Sequence, residues 1–147
     1  MIRGRVLHPG DAAGTVLRLD EPLSFWGGLD PTTGTIIDQA HPQVGVSMTG
    51  AVVVMPGSRG SSGTPGVLGE ALRRGVGPAA LIVTKADVNL VAGAIVAEAL
   101  YDAACPVVQV AETALSDLAT GVDRVVRRDG TILGAADPPR SDDHERV

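Results

Sequence analysis

Between Val52 and Thr64 the chain reads VVVMPGSRGSSGT, and Ser58, Arg59, Ser61 and Ser62 all fall within this one short stretch. Hydroxyls can donate or accept a proton, and a guanidinium offers a planar fork that fits a carboxylate or a phosphate. Pro56-Gly57 ends an apolar strand before these residues. After them Thr64 can cap a helix and Pro65 can take its first position, where a missing N–H costs nothing. The loop therefore delivers its groups to a helix N-terminus, where unpaired amides and the positive end of the dipole favour an anion. Amides of Ser61, Ser62 and Gly63, with Arg59 as bidentate partner and Ser58 beside it, would hold a carboxylate or phosphate. Gly60 and Gly63 let the backbone come close to a ligand. The plainer alternative is a solvated strand-to-helix loop in which the serines only cap the helix. The Lys-Ser/Thr ending of a nucleotide-binding loop is missing, as is the dinucleotide glycine spacing, so nucleotide binding is not expected.

A second group lies upstream in SFWGGLDPTTGTIIDQAHP. Phe25 and Trp26 precede a double glycine, Asp30-Pro31 opens a turn that Gly34 closes, and His41-Pro42 follows a short strand. If the loops gather at one rim, Asp30 and His41 could add polar groups to the serine loop. Otherwise Asp30 caps its own turn, His41 is an exposed loop histidine and Trp26 is a packing residue. Lys85 and Asp87 follow a later strand. Asp87 is more simply a helix N-cap, and Lys85 a solvated charge.

The elements that would position these groups follow from the hydrophobic pattern. Short strands separated by turn signals are expected in IRGRVLHPG, GTVLRL, TIID and GAVVVM, forming a small barrel-like sheet in the N-terminal part. From Thr64 onwards helices alternate with apolar strands. One helix runs from Thr64 to a stop at Gly75, and the strand AALIVT follows. A second helix spans about 88–103, with Leu90, Val91, Ala94, Ile95 and Leu100 at helical spacing; then come the strand VVQV after Pro106, a short helix near 112–119, and a hairpin turning at Asp129-Gly130. The fold class is therefore α/β, with a β-rich first half and a βα-rich second half. Residues 1–136 read as one domain and 137–147 as a polar tail without an apolar face.

Composition narrows the partners. Apolar residues make up 44% of 147, enough for a sizeable single core. A formal charge of -5 and only three aromatic residues give neither a basic field nor a stacking platform, so nucleic acid is excluded as a partner. The apolar run 88–110 is interrupted by Glu98, Asp102 and Pro106, so no membrane partner is expected. The single cysteine, Cys105, cannot form an internal disulfide, and no signal pattern opens the chain. A reducing cytoplasm is the expected location.

Taken in order, FWGGLDPTTGTIID, HPQVG, MPGSRGSSG, LIVTKADVNLVAGAIVAEAL and CPVV resemble the small subunit, or swivelling domain, of the aconitase X family, across residues 4–134. The resemblance implies a swivelling β/β/α domain. It also implies a hydro-lyase acting on a small hydroxy-acid substrate, with a large catalytic subunit that carries most of the iron or iron-sulfur site. The family includes cis-3-hydroxy-L-proline dehydratases and mevalonate 5-phosphate dehydratases. On this footing Ser61 is expected to be the general base, Ser62 its neighbour and runner-up, and Arg59 the group that holds the substrate's anion. Family members often carry a third serine before a glycine, where this chain reads Ser62-Gly63-Thr64-Pro65. The resemblance also makes Cys105 a candidate iron ligand, against the alternative of a small buried apolar residue. Arginine-rich usage, with Lys85 the sole lysine, suggests GC-rich bacterial coding and tips the expectation towards hydroxyproline. A swivelling domain that binds anions without turnover is the competing class.

Overall fold

The computed structural model describes residues 1–134; the expected tail lies outside them. Ten strands are present: β1 (Ile2–Arg3), β2 (Arg5–His8), β3 (Ala12–Arg18), β4 (Leu29–Asp30), β5 (Thr35–Ile36), β6 (Val52–Met55), β7 (Ala80–Val83), β8 (Val107–Gln109), β9 (Asp123–Val126) and β10 (Thr131–Gly134). A nominal helical turn, α1 (Phe25–Gly28), is broken at Trp26 and Gly27, and two full helices, α2 (Thr64–Arg73) and α3 (Val88–Tyr101), follow. A short 3-10 turn occupies Glu112–Asp117.

Eight strands form one sheet in the order β1-β10-β9-β3-β6-β7-β8-β2. Strands β3, β6, β7 and β8 run parallel, and the remaining neighbours pair antiparallel. The two outermost strands, β1 and β2, are separated only by Gly4, so the sheet nearly closes into a barrel. At that corner the Gly4 amide donates to the Gly130 carbonyl at 2.9 Å, and a Cβ on Gly4 would run into Val108 Cγ1. The barrel-like sheet expected from the N-terminal strands is thus present, and strands of the second half complete it.

Alternation along the parallel strands divides the core. Val53, Met55, Leu81, Val83 and Val107 face α2 and α3, where Leu68, Leu72, Leu90, Ala94 and Ala97 are buried against them. Val52, Val54, Ala80, Ile82 and Val108 face the barrel interior with Val16, Leu118, Val126 and Ile132. Strands buried on both faces read as continuous apolar runs, which is why GAVVVM and AALIVT stand out in the sequence.

Helix α2 starts differently from the expectation. Gly63 is the N-cap, in a right-handed conformation without a side-chain bond, and Thr64 is the first helical residue. The Thr64 side chain is buried, and its Oγ1 has no hydrogen-bond partner among the described residues. The helix ends as expected at Gly75, at φ 76°, whose amide donates to Leu72 O while that of Val76 donates to Ala71 O; this is the Schellman pattern. In α3, Leu90, Gly93, Ala94 and Ala97 are buried, whereas Ile95 and Leu100, expected on the core face, are 48% and 67% exposed. The helix is apolar all round, so spacing alone could not choose its inner face.

Candidate functional site

The serine loop, residues 56–63, leaves the C-terminal end of β6 and enters α2. Backbone contacts tie its base to the next strand-to-helix connection, since Lys85 N donates to Pro56 O at 3.1 Å. Ser58 forms an isolated parallel bridge with Leu23. The Asp87 carboxylate accepts from both Ser58 N at 2.7 Å and Ser58 Oγ at 2.6 Å. The N–H and O–H of Ser58, expected beside the substrate's anion, are both committed to Asp87.

Ser61 is half-buried and its Oγ accepts the Gly63 amide at 3.1 Å. Its carbonyl accepts the Thr64 amide at 3.1 Å. Ser61 Oγ therefore sits at the N-terminus of α2 with one amide already pointed at it, and its own proton has no acceptor among the described residues. Ser62 is exposed and makes no side-chain hydrogen bond there. Gly60 is exposed at the tip, with φ 71°. Gly63 lies under Trp26: a Cβ at 63 would approach the indole closely. The aromatic loop and the serine loop do meet, through Trp26.

Arg59 rests on the Glu21–Pro22 segment. Its Nε donates to Pro22 O at 3.1 Å and its Nη2 stands 3.5 Å from Glu21 Oε1, both side chains being half exposed. Exposed pairs of this kind contribute about 0–1 kcal/mol, so the guanidinium can be recruited to an anion at little cost.

His41 is buried, not exposed. It is 3% exposed, its Nδ1 accepts from Gln43 N at 3.1 Å, and its Nε2 lies 3.0 Å from Glu21 O. Because Nδ1 accepts, the ring proton is on Nε2 and is donated to Glu21. His41 thus fixes the segment against which Arg59 rests. Asp30 lies elsewhere: its Oδ1 accepts from Thr32 N and Oγ1, its pKa is lowered chiefly by these bonds, and the charge it senses is that of Arg74 at the far end of α2. At 1.5 Å per residue that end is about 15 Å from the serine loop.

Cys105 is fully buried among the residues between sheet and helices. Burial pushes its thiol up to about 12. In strand register it is level with Ala51, five residues before Pro56, so it sits about 16 Å from the loop at the opposite edge of the sheet. The thiol is sealed in apolar surroundings, which disfavour the thiolate that a metal ligand needs. Among the described residues no three His, Cys, Asp or Glu side chains cluster so as to hold a metal ion. The described residues therefore do not fit an iron or iron-sulfur group.

Asp87 is the N-cap of α3 as expected, accepting from Asn89 N and Leu90 N. Its second role towards Ser58 joins residues far apart in sequence and leaves no local signal. A cleft of about 220 Å³ opens beside this contact, lined by Pro22, Pro56, Ser58, Lys85 and Asp87 among others, with Lys85 exposed at its rim.

Residues 1–134 match the family model described as the aconitase X swivel domain. The chain belongs to the aconitase X swivel-domain family. Its fold superposes on the crystal structure of Thermococcus kodakaraensis aconitase X (holo-form) with a TM-score of 0.79 and 32% identity, covering 90% of this chain and 95% of that one. The swivel domain is 40% identical over 107 residues to the cis-3-hydroxy-L-proline dehydratase of Pseudomonas aeruginosa, covering 73% of this chain and 18% of that protein. With the enzyme of the same name from Hypocrea jecorina the identity is 39% over 116 residues, covering 79% of this chain and 20% of that protein. The chain thus spans about a fifth of the length of these two relatives. With the phosphomevalonate dehydratase small subunit of Methanothermobacter thermautotrophicus it shares 43% over 93 residues, covering 63% of this chain and 71% of that one. The family expected from the motifs is the family found. No helix among the described residues is long and apolar enough to cross a membrane.

Proposed function

We propose that this swivel domain is the small subunit of an aconitase X-type hydro-lyase, that it dehydrates cis-3-hydroxy-L-proline to Δ1-pyrroline-2-carboxylate together with a large catalytic subunit, and that Ser61 is its general base. Any iron or iron-sulfur group of the assembled enzyme belongs to the large subunit, and no step here depends on it. The observation that carries the proposal is the Ser61 hydroxyl at the start of α2, with the Gly63 amide donating to its oxygen. A serine is a poor base in water. An amide already aimed at the oxygen, the helix dipole and a guanidinium within reach stabilise the alkoxide it must become.

In this scheme Arg59 holds the substrate carboxylate. Ser61, as the alkoxide, takes the proton from the carbon bearing the carboxylate, the electron pair of that C–H bond forms a carbon–carbon double bond, and the hydroxyl leaves the neighbouring carbon as hydroxide, which takes a proton from solvent to become water. The enamine so produced tautomerises to the imine. Exposed apolar groups flank the loop, Trp26 on one side and Val88 at the start of α3 on the other, 66% and 81% exposed. They suit a partner that closes over the loop and excludes water.

One observation favours a second reading, phosphomevalonate dehydration. Lys85, the only lysine, stands at the rim of the 220 Å³ cleft beside the loop, where it would meet a phosphate. Anaerobic co-expression with the large subunit, followed by assay of the purified complex on both substrates, separates the two. Turnover of cis-3-hydroxy-L-proline is expected. Turnover of mevalonate 5-phosphate alone would transfer the assignment to the second reading. Turnover of neither by an assembled, iron-loaded complex would leave an anion-binding module.

A further inference from the structure

We infer that Asp87 is the positioning residue of the serine loop, dividing its two carboxylate oxygens between the α3 N-terminus and Ser58. Oδ1 accepts from Asn89 N at 3.0 Å and Leu90 N at 3.1 Å, which is all that capping requires. Oδ2 does something a cap does not need. It accepts two bonds from a residue 29 positions away, the Ser58 amide at 2.7 Å and the Ser58 hydroxyl at 2.6 Å. Both are short, as hydrogen bonds to an ionised acceptor are. The Ser58 oxygen in turn lies 3.4 Å from the Gly60 amide, so the hold extends towards the loop tip.

The consequence for the site is geometric. The loop is attached at its far end by α2 itself, and at its near end chiefly by Asp87 and the Lys85–Pro56 backbone bond. Arg59 follows Ser58 directly and Ser61 comes two residues later, with the exposed Gly60 between them. Without the carboxylate, Ser58 keeps no strong acceptor, and the near end of the loop is held by the Lys85–Pro56 bond, the Leu23 bridge and the Arg59–Pro22 bond alone. This role rests on the reading of the loop as the proton-transferring element, but the brace itself can be measured without any turnover.

Asp87→Asn separates the two duties. Asparagine caps a helix as well as aspartate does. With its oxygen on α3, its amide nitrogen faces the Ser58 N–H, donor against donor, and cannot accept it. In the full chain, hydrogen exchange of the Ser58 amide should become at least about tenfold faster, while the Asn89 and Leu90 amides keep their protection. Unchanged Ser58 protection overturns the inference. In the complex with the large subunit, the same variant should lower kcat by about 10- to 100-fold with KM within about twofold, as a misplaced catalytic group does. Faster exchange at Ser58 with undiminished kcat would overturn the positioning role. Ser58→Ala, which removes the hydroxyl and keeps the amide, should give a smaller fall in kcat. If the unaltered complex turns over neither substrate, the functional reading fails, and the exchange measurement still decides the brace.

Discussion

The indole of Trp26 lies across Gly63, so that a Cβ at residue 63 would stand 2.7 Å from Cε3 and 2.9 Å from Cδ2. Residue 63 also supplies the amide that Ser61 Oγ accepts and is the N-cap of α2. Gly63→Ala must displace the ring. Because the ring is largely exposed it can yield, so a loss of about 1 kcal/mol is expected, typical of a single substitution. Trp26 is the only tryptophan, so its fluorescence reports the displacement directly. An unchanged spectrum would remove the ring from the loop's support.

Ser61→Ala should leave folding and assembly intact and lower kcat by about 10²–10⁴, the usual range for loss of a general base. Ser62→Ala, at an exposed hydroxyl without partners, should change kcat little. The reverse pattern would pass the base role to Ser62. Comparable small effects from both would refute serine-base chemistry.

Arg59→Lys should chiefly raise KM, since an ammonium gives a point charge where a planar fork is required. The guanidinium rests on Pro22 O and Glu21, so Glu21→Gln should loosen its hold there and lower KM. An unchanged KM in Arg59→Lys would take the residue out of the substrate site.

Cys105 should resist thiol reagents at pH 8 in the folded chain and react only on unfolding. Its thiol is pushed from 9.0 up to about 12 by burial. The raised value means that the folded state holds its proton more tightly. The stability this confers is complete below pH 9 and is lost as pH rises from 9 towards 12. Chemical denaturation at pH 8 and pH 10 should show the fall, and Cys105→Ala should remove it without lowering turnover. Rapid labelling of the native chain would contradict the burial.

Thr64→Val should be neutral or stabilising by up to about 1 kcal/mol, because the hydroxyl it removes is buried without a hydrogen bond. Thermal unfolding measures this. A loss greater than about 1 kcal/mol would mean that the hydroxyl has a partner after all.

Legibility in the sequence followed the range of the interactions. The strands around Val53, Leu81 and Val108 are announced by continuous apolar runs, and the Asp87 cap and the Gly75 stop by signals within one helical turn. The start of α2 lies one position before the one the pattern predicts, because a glycine can serve as N-cap without a side chain and the hydroxyl behind it has the chemistry of a cap. Ile95 and Leu100 were assigned to the core because α3 has no polar face to contradict them. His41, Asp30 and Cys105 show the limit most clearly. Each has a chemically capable side chain, and only tertiary structure reveals that His41 supports Glu21, that Asp30 belongs to its own turn, and that Cys105 is packing. The Ser58–Asp87 contact, central to the loop, has no local signature at all.

The corner at Gly4 has a consequence for how the chain is made. Residues 2–3 pair with β10, and residues 5–8 pair with β8. As synthesis proceeds, β1 and β2 must wait for β10 and β8, which lie far later in the sequence, before the barrel can close. Such long-range pairing makes folding slow and leaves strand edges open meanwhile. A nascent chain halted before Thr131 would hold the serine loop, α2 and α3 complete in sequence, yet β1 would have no strand to join, and its free edge would be open to other chains.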